Sequence, residues 1–261
     1  LYGLHGTSIY EYNEVSDSFE EKAGIPGDME VVGGSSDDHV AIDYGRIAVS
    51  EPYGSGNVVW VYDSALYFAG DPNAHLFSIT ATESTVRTFE ILPDRIIVAD
   101  GNGGNYITAG LDGEGLETGC FDGGYVSRYS WSGHNLYVNA SENIRMYDGD
   151  LLQLDYIRCF RFTVRDYRLV GADADNLYFE GGYDESGISV WQLDDSSMTY
   201  LADEHPEIPY SGWEHLLRMG KDKAYLHSEW PPDTHSMYVF DLDNMTETHF
   251  EIAEPNDFDV E

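Results

Sequence analysis

Basic residues are scarce in this chain. Among 261 residues there are 13 Lys plus Arg against 48 Asp plus Glu, a formal charge of −35. Only Lys22, Lys221 and Lys223 are lysines; the other ten are arginines. A nucleic-acid partner needs a basic footprint, and the sequence offers none. An anionic membrane surface is disfavoured for the same reason. No apolar run approaches the roughly 18 residues of a membrane-spanning helix, so membrane insertion is not expected. Helix signals are nearly absent: residues 16–24 read as a turn or two of helix, and 214–219 as helix or strand. Recognisable catalytic motifs are also missing. There is no G-x-S-x-G, no phosphate loop and no H-E-x-x-H, and the nine histidines show no metal-ligand spacing.

The acids do not form a disordered tail. Aromatic residues make up 14% of the chain and hydrophobic residues 42%, interleaved with the acids throughout. Self-repulsion of so many like charges destabilises a compact fold in dilute buffer. At molar salt the screening length falls to about 3 Å and the penalty largely vanishes. The acid-rich, lysine-poor pattern resembles proteins of halophilic archaea and their viruses. A calcium-rich extracellular setting, or charge against aggregation, is the alternative. The chain begins at Leu1 in a strand-like pattern, which reads as a mature product or an excised domain.

Against that background one pattern recurs. NLYFE (176–180), a Gly- and acid-rich turn, and ISVWQL (188–193) alternate apolar and polar residues at period two, the mark of a hairpin. Similar pairs are LYGLHG with SIYEYNE, RIAVSE with NVVWVYD, RIIVAD with NYITAGLD, NLYVNA with NIRMYDGD, and KAYLHS with SMYVFDLD. The six hairpins begin at about residues 1, 46, 95, 135, 176 and 223. One or two further strands follow each, such as GLETGCF and GYVSRYSW, or LLQLDYIRCF and TVRDYRLVG.

Four strands every ~40–45 residues is the period of a β-propeller blade. A single blade cannot bury both of its faces, whereas a closed ring of blades can. The chain therefore resembles the β-propeller repeat proteins over nearly its whole length, by period and strand pattern and not by a signature motif. The expected fold is all-β: six blades of four antiparallel strands, with residues 1–254 as one propeller domain. Seven blades is the alternative, because ALYFAG (65–70) with HLFSIT (75–80) looks like another hairpin; it is assigned to the outer strands of the second blade. Residues 255–261 read as a polar tail or a closing strand, with 258–260 a candidate outer strand for the last blade.

Cys120 lies 24 residues after Ile96, and Cys159 lies 23 after Leu136. These are matching places in neighbouring units. Stacked sheets sit about 10 Å apart, while disulfide-bonded Cα atoms lie within about 7 Å. Two free, mostly buried thiols are expected.

Two constellations carry candidate chemistry. If the first strand of each hairpin lines a central channel, its far end brings His5, Ser50, Glu51, Asp100, Asn139, Glu180 and His227 to a common rim. Asp100, Asn139, Glu180 and His227 are the candidate ligands of a divalent cation such as calcium. Lactonase-type propellers hold a metal in such a pore, so the resemblance implies a metal-dependent hydrolase or lyase as one reading. A hydrated polar channel with no cofactor is the other. The second constellation lies in the turns that join first to second strands, where Tyr53, Tyr183 and Trp230 sit amid Asp, Asn, Ser and Gly. Such aromatics suit a glycan or a protein surface, or they fold back on their own blade. The preferred reading is a non-enzymatic recognition or scaffold module. Its partners would be other proteins of an assembly or cell-surface glycan, in an extracellular, cell-surface or virion setting.

Overall fold

The computed structural model describes the backbone at residues 2–5, 8–13, 18–24, 40–50, 57–82, 86–101, 103–122, 124, 126–140, 143–158, 168–172, 176–180, 188–194, 197–202, 216–219, 223–228, 236–241, 246–251 and 257–259. Side chains are described mainly between residues 40 and 156. The described residues form six four-stranded sheets, and every pairing is antiparallel. They belong to two compact units. The first covers Leu1–Gly124 with Ile252–Glu261, and the second Tyr125–Glu251.

In the first unit, β1 (Tyr2–His5), β2 (Ser8–Asn13) and β3 (Ser18–Gly24) are joined by β24 (Asp257–Asp259), in the order β24-β1-β2-β3. The next sheet runs β4 (Val40–Asp43), β5 (Arg46–Ser50), β6 (Val58–Asp63) and β7 (His75–Thr80). The third runs β8 (Val86–Ile91), β9 (Arg95–Asp100), β10 (Asn105–Gly110) and β11 (Glu117–Cys120). Their leading strands are neighbours: β24 lies beside β4, and β4 beside β8.

The second unit repeats the plan. Its sheets are β12 (Val126–Trp131), β13 (Leu136–Ala140), β14 (Asn143–Tyr147) and β15 (Gln153–Arg158); then β16 (Arg168–Ala172), β17 (Asn176–Glu180), β18 (Ile188–Asp194) and β19 (Ser197–Ala202); then β20 (Leu216–Met219), β21 (Lys223–Ser228), β22 (Ser236–Asp241) and β23 (Thr246–Glu251). Again the leading strands adjoin, β12 with β16 and β16 with β20.

The six hairpins are present, but the grouping of the strands between them shifts by one. GYVSRYSW and TVRDYRLVG, assigned by the repeat to the unit before, lead the next sheet as β12 and β16, and β4 and β8, which the repeat did not assign, lead theirs in the same way. GYVSRYSW contributes β12, which leads the sheet of NLYVNA instead of closing the sheet of RIIVAD. The C-terminal strand shows the same offset. Asp257–Asp259 pairs with β1, Tyr2 opposite Asp259 and Leu4 opposite Asp257, and so leads the first sheet instead of edging the last.

The apolar runs of β5 and β9 follow from burial on both faces. Ile47, Ala48, Val49, Ile96, Ile97 and Val98 have no exposed surface. On one side of the β4–β7 sheet, Ala48, Val59, Val61 and Ile79 meet Phe89, Ile91, Ile96 and Val98 of the β8–β11 sheet. On the other, Val40, Ile42, Ile47 and Val49 pack with Tyr62, Tyr67 and Ala74. Each such Val or Ile side chain contributes about 1.5–3 kcal/mol by leaving water. The β4–β5 hairpin closes through a two-residue turn with Tyr44 at φ 45° and Gly45 at φ 72°, a geometry that matches the twist of the flanking strands. Asp43 Oδ1 accepts the Tyr44 amide at 2.7 Å and fixes that turn.

Three local expectations are corrected. Ser64–Phe68, which overlaps the stretch 65–70 assigned to a strand, is a short helix, α1. Asp63 caps it, its carboxylate accepting the Leu66 amide at 2.9 Å. Tyr67 is buried edge-on against Tyr62 at 5.0 Å. A five-residue stretch is too short for its apolar period to separate strand from helix, and the cap decides. Residues 18–24, within the stretch read as helix, are strand β3, because pairing with β2 satisfies their backbone. The thiol of Cys120 is free as expected but exposed rather than buried, since β11 is an outer strand. Cys159 lies outside the described residues.

Candidate functional site

Register decides which of the predicted rim residues occupy equivalent places. Val98 of β9 stands opposite Phe89, and Val138 of β13 opposite Tyr129, so the two valines correspond. Asp100 then corresponds to Ala140 and not to Asn139. A one-residue offset puts the two side chains on opposite faces of their sheets. By the same alignment Asn139, Glu180 and His227 correspond to one another and to Ser50 of β5. All of these residues stand on the second strand of a sheet, with a further strand ahead. The structure therefore does not put the hairpin's first strand in the leading position on which the rim argument was built.

Asp100 is 4% exposed and held within the protein. Its Oδ1 accepts the Thr82 amide at 2.8 Å, and its Oδ2 accepts the Thr82 hydroxyl. The carboxylate thus ties the connection between β7 and β8 to the end of β9, and burial of the charge is offset by these bonds. Asn139 is buried at 7%, opposite Arg128 and Ile144. Glu180 closes β17 opposite Arg168 and Ile188; His227 stands on β21 opposite Leu216 and Met237. Among the described residues no group of three or more His, Cys, Asp or Glu is placed to hold a metal ion. Tyr53, Tyr183 and Trp230 lie outside the described residues, as does Glu51.

The described surface has a different apolar feature. Leu152, Leu154 and Tyr156, on and just before β15, are 65%, 38% and 54% exposed. β15 is the outer strand of its sheet. The Arg145 guanidinium lies over the Tyr156 ring, 5.8 Å from its centroid, and donates to the Gln153 side-chain oxygen. A cation over an exposed ring is worth about 0.5–1 kcal/mol and fixes the ring's orientation. The signal for this patch was in the sequence: LLQLDY alternates apolar and polar residues at period two. LLQLDYIRCF reads as a strand with neither face assigned, because alternation does not say which face an outer strand buries.

Electrostatic shifts among the described residues are structural in origin. Burial, then the neighbouring Tyr62, push the Tyr67 hydroxyl well above its ordinary range. The hydrogen bonds from Arg95 hold Asp94 below the usual carboxylate value. The backbone and side chain of Asn73 do the same for exposed Asp71.

No family model and no curated protein matches the chain. Solved structures do. The nidogen–laminin complex aligns with a TM-score of 0.58 at 11% identity, over 97% of this chain and 92% of that one. The Pan2 WD40 domain of Neurospora crassa gives 0.53 at 12%, over 87% and 66%. PorZ, a bacterial surface component of the type-IX secretion system of Porphyromonas gingivalis, gives 0.52 at 14%. The structures it resembles are β-propellers. This chain covers 96% of its own length in the PorZ alignment but spans only 31% of PorZ. At such identities the likeness shows the propeller-type all-β fold, in agreement with the sheets above. Propellers of this kind occur in protein complexes, nidogen with laminin and a component of the mitotic checkpoint complex among them. No helix among the described residues is long and apolar enough to cross a membrane.

Proposed function

We propose that the chain is a non-catalytic, six-bladed propeller module that docks onto a protein partner within an extracellular, cell-surface or virion assembly. The observation that carries this reading is the solvent-exposed run of Leu152, Leu154 and Tyr156 on an outer strand of a chain charged −35. Apolar side chains that alternate along an outer strand form an interface core, and the acidic surroundings form its rim. Such a rim selects a partner with a basic surface and speeds encounter with it. Exported and surface proteins among the structural neighbours support the compartment. The acid excess supports a high-salt environment, where screening removes the self-repulsion of the fold.

The test is retention of envelope proteins by the immobilised chain at working salt, beside a glycan array. Leu154→Asp with Tyr156→Ala should abolish capture of whichever basic protein the wild type retains. Glycan binding that survives both substitutions would move the site to the loops of Tyr53, Tyr183 and Trp230 and overturn the docking reading. A calcium titration separates the enzymatic alternative. One tightly held ion, lost with Glu180→Gln and His227→Ala, would place a metal where the module reading has none.

A further inference from the structure

The β12–β15 sheet ends on β15, and among the described residues no further strand pairs with its outer edge. The pairing with β14 skips Leu154 and is then regular, from Asp155 opposite Met146 to Arg158 opposite Asn143. An unpaired edge presents N–H and C=O groups with which another chain can pair. Three outer strands, β7, β11 and β15, have side chains described along most of their length. β7 exposes one large apolar residue, Leu76, and β11 with the residue before it exposes Leu116. β15 with the residue before it exposes three, Leu152, Leu154 and Tyr156, at alternate positions.

One bond marks the outward backbone. The Tyr156 amide donates to Asp155 Oδ1 at 2.8 Å, an exposed bond to its own neighbour in sequence. Amides alternate between the two sides of an antiparallel strand, so the Arg158 amide shares that outer side. Side chains alternate between the faces: Leu154 and Tyr156 share one, and Asp155 takes the other. Residues 148–156 hold Asp148, Asp150 and Asp155 and no base. Arg145 is committed to the Tyr156 ring and the Gln153 side chain, and Arg158 ends the strand.

We propose, resting on the docking reading above, that the occupant of this surface is an extended segment of the partner, with Lys or Arg alternating with apolar residues, added to β15 as a further strand. Cross-strand neighbours share a face, so its apolar residues lie beside Leu154 and Tyr156 and its cations beside Asp155. Asp148 and Asp150 extend the acidic end and Arg158 closes the other, so the cations gather toward the start of β15. A carbonyl of the segment takes the Tyr156 amide in place of Asp155. Main-chain bonds then supply affinity, and the alternate side chains specificity. An acidic segment, or a second copy of this chain, is disfavoured by the field of a chain charged −35.

The probe is a short labelled peptide that alternates Lys with Val, titrated with the full chain at constant ionic strength and read by fluorescence anisotropy. Three control peptides keep its charge: one scrambled to remove the alternation, one N-methylated at every Val and one at every Lys. The alternating peptide should bind saturably and the scrambled one at least about tenfold more weakly. Only one edge of the peptide faces β15, so methylation of one residue set should abolish binding and methylation of the other should spare it. Leu154→Asp with Tyr156→Ala should abolish binding of the parent peptide. Asp155→Asn should weaken it about two- to fivefold, the loss of one exposed charge pair. The peptide comparisons use the wild-type chain alone, so they hold if a variant fails to fold. A chain that retains a basic protein through Leu154 and Tyr156, yet ignores the alternating peptide or binds the scrambled or both methylated peptides equally well, would overturn strand addition and leave the docking reading standing. Retention and peptide binding that both survive the double substitution would overturn both.

Discussion

In the unit formed by residues 1–124 and 252–261, the leading strands carry Asp43, Glu90, Asp257 and Asp259 beside Arg87. In the unit of residues 125–251, they carry Arg128, Arg168 and Arg218 and no acid. The second strands differ too. In the first unit β5 and β9 are aliphatic and buried throughout their middles, Ile47 to Val49 and Ile96 to Ala99. In the second unit the matching position holds Tyr137, Tyr178 and Tyr225. Both units use the same four-stranded antiparallel plan. The repeat therefore specifies backbone, and the residues on the leading two strands are free to differ in chemistry.

The largest effect should come from emptying the aliphatic core. Ile97→Ala should cost about 2–5 kcal/mol, read as a fall in the denaturant midpoint. If amide exchange in the second unit accelerates as much as in the first, the two units unfold together and the comparison loses its energetic content. Asp100→Ala should cost about 1–3 kcal/mol, because both bonds between the buried carboxylate and Thr82 are lost. Asp100→Asn, which keeps one acceptor oxygen, should cost less. An Asp100 variant as stable as the wild type, coupled to loss of calcium binding, would return that carboxylate to the metal reading.

Asp63→Ala removes the cap of α1 and should cost about 1 kcal/mol, with the change in exchange confined to residues around 64–70. The smallest effect concerns pH. The hydroxyl of Tyr67 titrates higher in the folded protein than in the unfolded chain. Its contribution is fully present below the unfolded value of about 10 and is lost as pH rises through the folded value. Tyr67→Phe should therefore make the alkaline fall in stability shallower above about pH 10 and leave the pH dependence below pH 9 unchanged. An unaltered alkaline limb would show that Tyr67 is open to solvent.

The strands themselves were legible because period-two alternation is a direct consequence of two-faced burial. NLYVN and NLYFE are strands for the same reason, and both occupy second place in their sheets. Their grouping was not legible. Antiparallel neighbours on either side of a hairpin have the same pattern, so the sequence of GYVSRYSW does not say whether it pairs with the strand before or after it. The exposed face of Leu152, Leu154 and Tyr156 was not legible either, because alternation is the same whether an outer strand turns its apolar side to a neighbour or to water. The helix at Ser64–Phe68 was missed because ALYF is a short continuous apolar run with no period to separate helix from strand, and the capping carboxylate of Asp63 decides it.

The most direct test of the docking reading is hydrogen exchange of the full chain with and without the basic protein it retains. Slower exchange in peptides covering Gln153–Arg158, with the outer strands β7 and β11 unchanged, is the predicted result. Protection confined to other strands, or none, would contradict it.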